Sequence, residues 1–162
     1  MPIRPAAAGD ELGVATVHVR SWQAAYRGLL PDDFLDGLRP EDRAAQYNFT
    51  SGRTRPIVAV DEDSVRGFAA FGPSRDSDNE GELYAIYVHP DHWGGGHGRA
   101  LITEARRLLA QHYRSAILWV LIGNDQAHRF YLADGWTEEK TTRTEQMFGA
   151  TVNETRFRRT LP

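Results

Sequence analysis

The stretch from Trp93 to Leu101 constrains the fold of this chain more than any other. It reads Trp-Gly-Gly-Gly-His-Gly-Arg-Ala-Leu, follows an apolar run from Leu83 to Val88 and a turn at Pro90, and leads into an amphipathic helix. A strand, a glycine-rich turn and a helix start in this order form an anion site. The glycines let backbone N–H groups close on a phosphate, and the positive end of the helix dipole supports it. The stretch therefore predicts a phosphorylated ligand.

The residues that end this turn exclude two common phosphate motifs. A P-loop places lysine and then serine or threonine after its last glycine, whereas Arg99 and Ala100 follow Gly98. The dinucleotide pattern G-x-G-x-x-G fails as well, because Arg99 stands where the third glycine belongs after Gly94 and Gly96. The pattern that remains is x-x-x-Gly-x-Gly after a strand.

This remaining pattern resembles the acyl-coenzyme A signature of the GNAT superfamily of N-acetyltransferases, usually Gln/Arg-x-x-Gly-x-Gly/Ala. Trp93 stands at its first position instead of glutamine or arginine. The resemblance implies that backbone amides of the turn hold the pyrophosphate of acetyl-CoA, which would be the co-substrate. The contacts that it implies on the strand, the turn and the helix start lie at Tyr87, Val88, Trp93, Gly94, Gly95, Gly96, His97, Gly98, Arg99 and Ala100.

A second motif lies downstream at the distance that the resemblance requires. A predicted buried strand, residues 115–121, is followed by Asn124 at a helix start and by Phe-Tyr-Leu-Ala-Asp-Gly-Trp at residues 130–136. This is similar to the family's strand, Asn, helix and Phe-Tyr-x-x-x-Gly-Phe block, with Trp136 in place of the common phenylalanine. Because Asn124 and Tyr131 are seven residues apart, about two helical turns, both can face one ligand.

The resemblance assigns roles to the side chains of this helix. It implies that Asn124 hydrogen-bonds the pantetheine arm, that Ala127 and Phe130 contact the coenzyme, and that the Tyr131 hydroxyl reaches its sulfur. Taken alone, Tyr131 could instead be a core tyrosine whose hydroxyl has a partner in the protein. The glycine turn beside it favours the catalytic role.

Acetylation of an amine also requires a base. The acceptor is normally an ammonium ion, which must lose a proton before it attacks the thioester, and the departing thiolate needs a proton. Glu82 is the candidate base, because it lies fourteen residues before Gly96, where histone-acetylating relatives place their catalytic glutamate. It could equally be an exposed carboxylate at a strand end, and Glu80 could be confused with it.

Alternation along the same strand puts Glu82, Tyr84, Ile86 and Val88 on one face. Tyr84 could therefore help to relay the proton of the acceptor. The resemblance implies that the Val88 backbone N–H polarises the thioester carbonyl, as the family's strand does.

The acceptor itself is the least constrained part of the site. The resemblance implies that the first helices and the C-terminal hairpin wall the acceptor site, where Trp22 and Tyr26 could form an aromatic slot for a small amine. The alternative, for at least one of them, is packing of the first helix onto the sheet. An antibiotic, an amino acid, a polyamine and a peptide N-terminus all remain open.

Histidines near the glycine turn do not predict a metal site. His89, His92 and His97 surround the turn together with Asp91, but they lie where phosphates must bind, and no pattern such as His-Glu-x-x-His supports them. His18, on the first predicted helix, is expected to be a surface or packing residue.

The whole chain, residues 1–162, is predicted to form one α+β (mixed α/β) domain. We expect a GNAT-like, mostly antiparallel twisted sheet of about seven strands, flanked by four to five helices. The elements that decide this are a short strand at residues 3–5, a helix with an apolar stripe at Leu12, Ala15, Val19, Trp22 and Tyr26, short helices from Pro31 and Pro40, a hairpin of residues 56–61 and 65–72, and a C-terminal hairpin of residues 136–147 and 151–160 that turns at Phe148 and Gly149.

Composition narrows the function classes. The net charge of −3 gives no electrostatic footprint for nucleic acid or an anionic membrane. The absence of cysteine excludes disulfides, zinc-thiolate sites and a cysteine nucleophile. No apolar run approaches membrane-spanning length and the first residues lack a signal-peptide core, so we expect a cytoplasmic protein, which could form a homodimer.

Two function classes follow. The first is an acetyl-CoA-dependent N-acetyltransferase that acts on a primary amine of a small molecule or peptide by direct attack in a ternary complex, without a metal. The second is a non-catalytic domain that senses acyl-CoA and acts through partners. Tyr131 together with Glu82 favours the enzyme, because a sensor needs the glycine turn but neither proton-transfer group.

Overall fold

Seven strands form one mixed sheet in the computed structural model, which describes residues 2–49, 56–147 and 149–162. In chain order the elements are β1 (Ile3–Pro5), α1 (Glu11–Ala25), α2 (Asp32–Asp36), α3 (Pro40–Ala44), β2 (Ile57–Asp61), β3 (Ser64–Pro73), β4 (Gly81–Val88), a 3-10 turn (Pro90–His92), α4 (His97–Leu109), β5 (Ser115–Leu121), α5 (Asp125–Ala133), β6 (Thr137–Met147) and β7 (Ala150–Thr160). The strand order is β1-β2-β3-β4-β5-β7-β6, and every neighbouring pair is antiparallel except β4 and β5. The predicted α+β fold is confirmed.

The parallel pair in the middle of the sheet separates before its strands end. β4 and β5 are paired only from Gly81 with Ala116 to Leu83 with Leu118. Both strands continue beyond that point, β4 to Val88 and β5 to Leu121. The sheet therefore opens into a wedge. Along it, the backbone N–H and C=O groups on the facing edges of β4 and β5 make no hydrogen bonds between the two strands.

A β-bulge at Tyr84 changes which side chains of β4 share a face. The register of β3 with β4 leaves Tyr84 as an extra residue, so the alternation changes phase. Leu83, before the bulge, and Ile86, after it, both pack in the cluster that contains α4. The predicted common face of Glu82, Tyr84, Ile86 and Val88 is therefore wrong, because strict alternation ignored the inserted residue.

Helix α4 packs on one face of the sheet, and helix α1 packs on the opposite face with a wide buried surface. It buries Val14, His18 and Ser21 as well as the predicted stripe around Trp22. Leu12 lies in the first turn of α1 and is 53% exposed, so its predicted place in the buried stripe is wrong. His18, for which the sequence left surface and packing roles open, is a packing residue.

Strands β6 and β7 form the predicted C-terminal hairpin, with Met147 opposite Ala150. Of the two predicted turn residues, Gly149 has a positive φ of 86°, and Phe148 lies outside the described residues. In the described part of the chain, no helix is both long and apolar enough to cross a membrane.

Candidate functional site

The wedge between β4 and β5 opens into a pocket of about 380 Å³. Its walls come from α1, β4, the glycine turn, α4, β5, α5 and β7. Most of the residues that the sequence assigned to the coenzyme lie on these walls: Tyr87, Val88, Trp93, Gly94, Gly96, His97, Gly98, Arg99, Asn124, Ala127, Phe130 and Tyr131. Gly95 and Ala100 belong to the same turn and helix but do not line the pocket.

The glycine turn forms one end of this pocket. Gly94 and Gly96 have φ values of 81° and 85°, a backbone conformation that side-chain-bearing residues rarely adopt. An added Cβ would meet nothing within 4 Å at either position, so the space above both is open. Gly96 is the N-cap of α4 and makes no side-chain cap. The first N–H groups of α4 are therefore left for an anion at this end.

Val88 directs its backbone N–H into the wedge. The next residue, His89, donates its N–H to the Arg66 carbonyl of the chain beside β4, at 2.8 Å. Because successive residues of a strand point their N–H groups to opposite edges, the Val88 N–H faces away from β3. The Val88 carbonyl, on the same edge, accepts from the Trp93 indole at 2.8 Å. This arrangement fits the predicted role of Val88 as a donor to a carbonyl in the wedge.

Helix α5 brings Asn124 and Tyr131 to the pocket together. The Asn124 Oδ1 accepts the Ala127 N–H at 3.3 Å and so caps the helix. The Tyr131 hydroxyl has no hydrogen-bond partner among the described residues, although its side chain is buried. Burial, and next to it the Tyr87 hydroxyl, raise the pKa of Tyr131 above its usual range. A core tyrosine with a satisfied hydroxyl, the alternative reading of the sequence, does not describe this residue.

Glu82 lies away from the pocket. It is 1% exposed, and Arg75 holds both of its oxygens, with the backbone N–H at 3.0 Å and the guanidinium at 2.8 Å. Glu80 is engaged similarly, because both of its oxygens accept from Arg158 at 2.8 Å. This ion pair is the main cause that lowers the pKa of Glu80. The geometry gives neither carboxylate support as the base, since neither lines the pocket.

The structure instead places Glu154, a residue that sequence reasoning missed, on the pocket wall. It lies on β7 opposite Leu121, at the end of β5, and is 5% exposed. Arg143 donates its Nε–H to the Glu154 Oε1 at 2.9 Å. No local signal marks Glu154, because its strand is polar on both sides of it and only the pairing of β7 with β5 brings it to the wedge.

The residues predicted to bind the acceptor take different places. Tyr26 lines the pocket, and its hydroxyl lies 3.4 Å from that of Tyr87. Trp22 is 1% exposed and packs α1 onto the sheet, so the structure does not support its predicted contact with substrate. Tyr84 lines the pocket, but its hydroxyl donates to the Pro73 carbonyl. That bond leaves the Tyr84 hydroxyl poorly suited to the predicted relay.

The histidines of the turn are not gathered around a cation site. His92 lies 2.7 Å from the Arg66 guanidinium, and His97 is buried beneath the turn. Across residues 2–49, 56–147 and 149–162, no group of three or more side chains is arranged to hold a metal ion.

Comparisons with known proteins agree with this geometry. A sequence model of the Acetyltransferase (GNAT) family matches residues 19–136. The uncharacterized N-acetyltransferase YuaI of Bacillus subtilis strain 168 is 34% identical over 125 residues, which are 75% of this chain and 72% of that protein. Paia N-acetyltransferase of Thermoplasma acidophilum, solved in complex with coenzyme A, has a TM-score of 0.74 at 18% identity and covers 98% of both chains. The structure of yncA from Salmonella typhimurium with its cofactor acetyl-CoA has a TM-score of 0.72 at 22% identity, over 100% of this chain and 94% of that one.

Proposed function

The chain belongs to the GNAT family of acetyltransferases, and on that premise we propose that it moves an acetyl group from acetyl-CoA to a primary amine by direct attack in a ternary complex. The observation that carries this proposal is the wedge between β4 and β5. It joins the glycine turn at one end to the Tyr131 hydroxyl within a single pocket. A ligand with a pyrophosphate, a thin flexible arm and a reactive thioester needs these three features in this order.

The residues present fit acetyl-CoA along the length of the pocket. The open space over Gly94 and Gly96 and the uncapped start of α4 suit the pyrophosphate. The unpaired edges of β4 and β5 offer backbone donors and acceptors to the amides of the pantetheine arm. Asn124, whose side-chain NH₂ is not used by its helix cap, lies beside that path.

The bound thioester supplies the acetyl group, and the chain supplies donors to it. In this proposal the Val88 N–H donates to the thioester carbonyl, where negative charge develops during attack. The Tyr131 hydroxyl, which is protonated at neutral pH, gives its proton to the departing sulfur. The acceptor approaches from the side of Tyr26 and Trp119, which form an aromatic wall of the pocket.

Binding of acetyl-CoA is expected to stabilise the protein. At a hundred times its dissociation constant, the ligand should add about 2.7 kcal/mol to the free energy of unfolding. For a chain of this length that corresponds to a rise in Tm of roughly 5–10 °C in a thermal melt. NAD and ATP are the controls, and a clear shift with either of them but none with acetyl-CoA would contradict the assignment of the pocket.

Release of free thiol from acetyl-CoA distinguishes the enzyme from a sensor. We propose that the acceptor is a small-molecule amine or the N-terminal amine of a peptide, so the assay uses alkylamines, a polyamine, amino acids and a short peptide. Amine-dependent thiol release with any of them supports the transferase. Tight binding of acetyl-CoA without release across the whole panel would favour the sensor.

Gly96→Val is expected to weaken acetyl-CoA binding at least tenfold and to leave the protein folded. Valine is strained at a φ of 85°, and its side chain would fill the open space where phosphates approach. Calorimetric titration measures the change. Gly149→Val is the matched control, because Gly149 has a φ of 86° and open space around it but lies in the β6–β7 hairpin. Equal affinities for the parent and both variants would show that phosphates bind elsewhere.

A further inference from the structure

Glu154 is a buried carboxylate that lines the reaction pocket and has one oxygen free. Its Oε1 accepts from Arg143 at 2.9 Å. Its Oε2 accepts no hydrogen bond from any described residue. Oε2 is not among the fully enclosed side-chain oxygens that lack a partner, so it is accessible from the pocket, and a ligand that brings an N–H group to it would gain a charge-assisted hydrogen bond.

Other carboxylates of the sheet lack this feature. Both oxygens of Glu82 are held by Arg75, and both oxygens of Glu80 by Arg158. Glu139 uses one oxygen for Arg156 and the other for Arg158. None of these three lines the pocket, whereas Glu154 does. Glu154 is thus the carboxylate among them that could reach a substrate.

The groups around Glu154 come from four strands and α1. Tyr26, the residue that caps the C-terminal end of α1, and Tyr87 of β4 have raised pKa values, chiefly because they are buried, and the charge of Glu154 contributes to both. Arg143 of β6 pairs with Glu154 and also lies 3.7 Å from Glu145. Arg156, two residues along β7, stacks with Arg143 on the Trp119 ring of β5. Arg156 pairs with Glu139, so Arg143 is the cation that pairs with Glu154 among the described residues, and its hydrogen bond goes to Oε1.

We propose that Glu154 binds the ammonium group of the acceptor through Oε2 and accepts its proton, which makes a cationic primary amine the substrate class. This inference rests on the proposed acetyl transfer. An N–H bond of the ammonium breaks as an O–H bond forms on Glu154. The freed nitrogen lone pair attacks the thioester carbon, the C–S bond breaks, and the sulfur takes the Tyr131 proton. The nitrogen, which is positively charged after the attack, loses a second proton to solvent, and Tyr131 takes one proton back from solvent. Glu154 then gives its own proton to solvent, so each turnover releases one proton.

Glu154→Gln tests the inference with little change in shape. With butylamine as acceptor at pH 7, kcat/KM should fall by about 10²–10⁴-fold, the usual contribution of a positioned base. The loss should shrink as the pH approaches 10, because about a quarter of an alkylamine is then neutral. Aniline, which is already neutral at pH 7, should be affected far less. Acetyl-CoA affinity by calorimetry should stay within about twofold of the parent.

Two control variants separate this role from a structural one. Glu145→Gln removes a carboxylate beside the same arginine but outside the pocket, and should leave kcat/KM within about threefold. Arg143→Gln breaks the ion pair and keeps the carboxylate, so it should lose less than a tenth of what Glu154→Gln loses. An equal loss in Arg143→Gln, or an unchanged pH profile in Glu154→Gln, would overturn the inference. If the parent releases no thiol with any amine, the proposed function fails first and the inference falls with it.

Discussion

Tyr131→Phe is expected to lower turnover by about 10²–10⁴-fold and to leave acetyl-CoA binding nearly unchanged. The substitution removes one hydroxyl from the pocket wall and keeps the ring that packs against Trp136 and Phe157. Since the hydroxyl has no partner among the described residues, its loss leaves no buried donor or acceptor unpaired. Stability should therefore change little, and the loss should appear in kcat.

The reason for this expectation is the transfer of a proton from the Tyr131 phenol to the thiolate that leaves coenzyme A. The Tyr131 hydroxyl is protonated at neutral pH, as any phenol is, and burial makes it a weaker acid by raising its pKa, so it gives up its proton only as negative charge develops on the sulfur during cleavage of the C–S bond. The phenolate that remains would be costly in this environment, and a return of the proton from solvent restores the enzyme. Removal of the hydroxyl therefore affects the transition state and hardly affects the bound ground state.

Steady-state kinetics with a saturating amine, together with calorimetry of acetyl-CoA, measures both parts of this prediction. Tyr113→Phe is a matched control, because it removes a phenol from a half-buried tyrosine outside the pocket. A Tyr131→Phe enzyme with parental turnover would leave Tyr131 as a wall of the pocket and would assign protonation of the sulfur to solvent.

The parts of the site that could be predicted are those that a single short segment builds. The glycine turn and the start of α4 are contiguous, so the residues between Trp93 and Ala100 form by themselves the segment proposed to hold the pyrophosphate. The same holds for α5, whose N-cap Asn124 and pocket residue Tyr131 lie two turns apart on one helix. Local propensities and spacing are sufficient for such elements.

The parts that could not be predicted depend on contacts between distant segments. The bulge at Tyr84 follows from how β4 pairs with β3, and it invalidates any count of faces made along the sequence. Glu82 is withdrawn from the pocket because Arg75, across a loop, closes on it. Glu154 reaches the wedge only because β7 inserts between β5 and β6 in the sheet. A spacing of fourteen residues therefore selected a carboxylate, but not one that faces the pocket.

The second large expected effect is a loss of folding stability at acid pH, and it comes from protonation of His18. This side chain is buried in α1, stacks on Tyr87 with 5.0 Å between ring centroids, and shares a hydrogen bond of 2.8 Å with the Tyr47 hydroxyl. Burial, with a smaller effect of the Arg43 charge, lowers the pKa of His18 to about 3. In the unfolded chain the pKa of histidine is near 6.5, so between these values the unfolded state binds the proton more tightly.

The sign of the effect follows from that difference. Neutral His18 contributes its full stability above about pH 6.5, and that stability is lost as the pH falls toward 3, on the order of 5 kcal/mol in total. Asp10 and Glu80 have lowered pKa values because of Arg4 and Arg158, and their contributions are lost only below their unfolded values, near pH 4. Between pH 6.5 and 4.5 the loss is therefore attributed to His18, and it is expected to be about 2 kcal/mol.

Urea unfolding across this window measures the slope directly. His18→Phe keeps an aromatic ring against Tyr87 and cannot be protonated, so its free energy of unfolding should vary far less with pH between 6.5 and 4.5. His112→Gln, at an exposed histidine, should retain the parental slope. A parental slope in His18→Phe would mean that another group takes up the proton. Because Tyr87 lines the pocket and His18 stacks on it, acid should also weaken acetyl-CoA binding in the parent before the chain unfolds, and less so in His18→Phe.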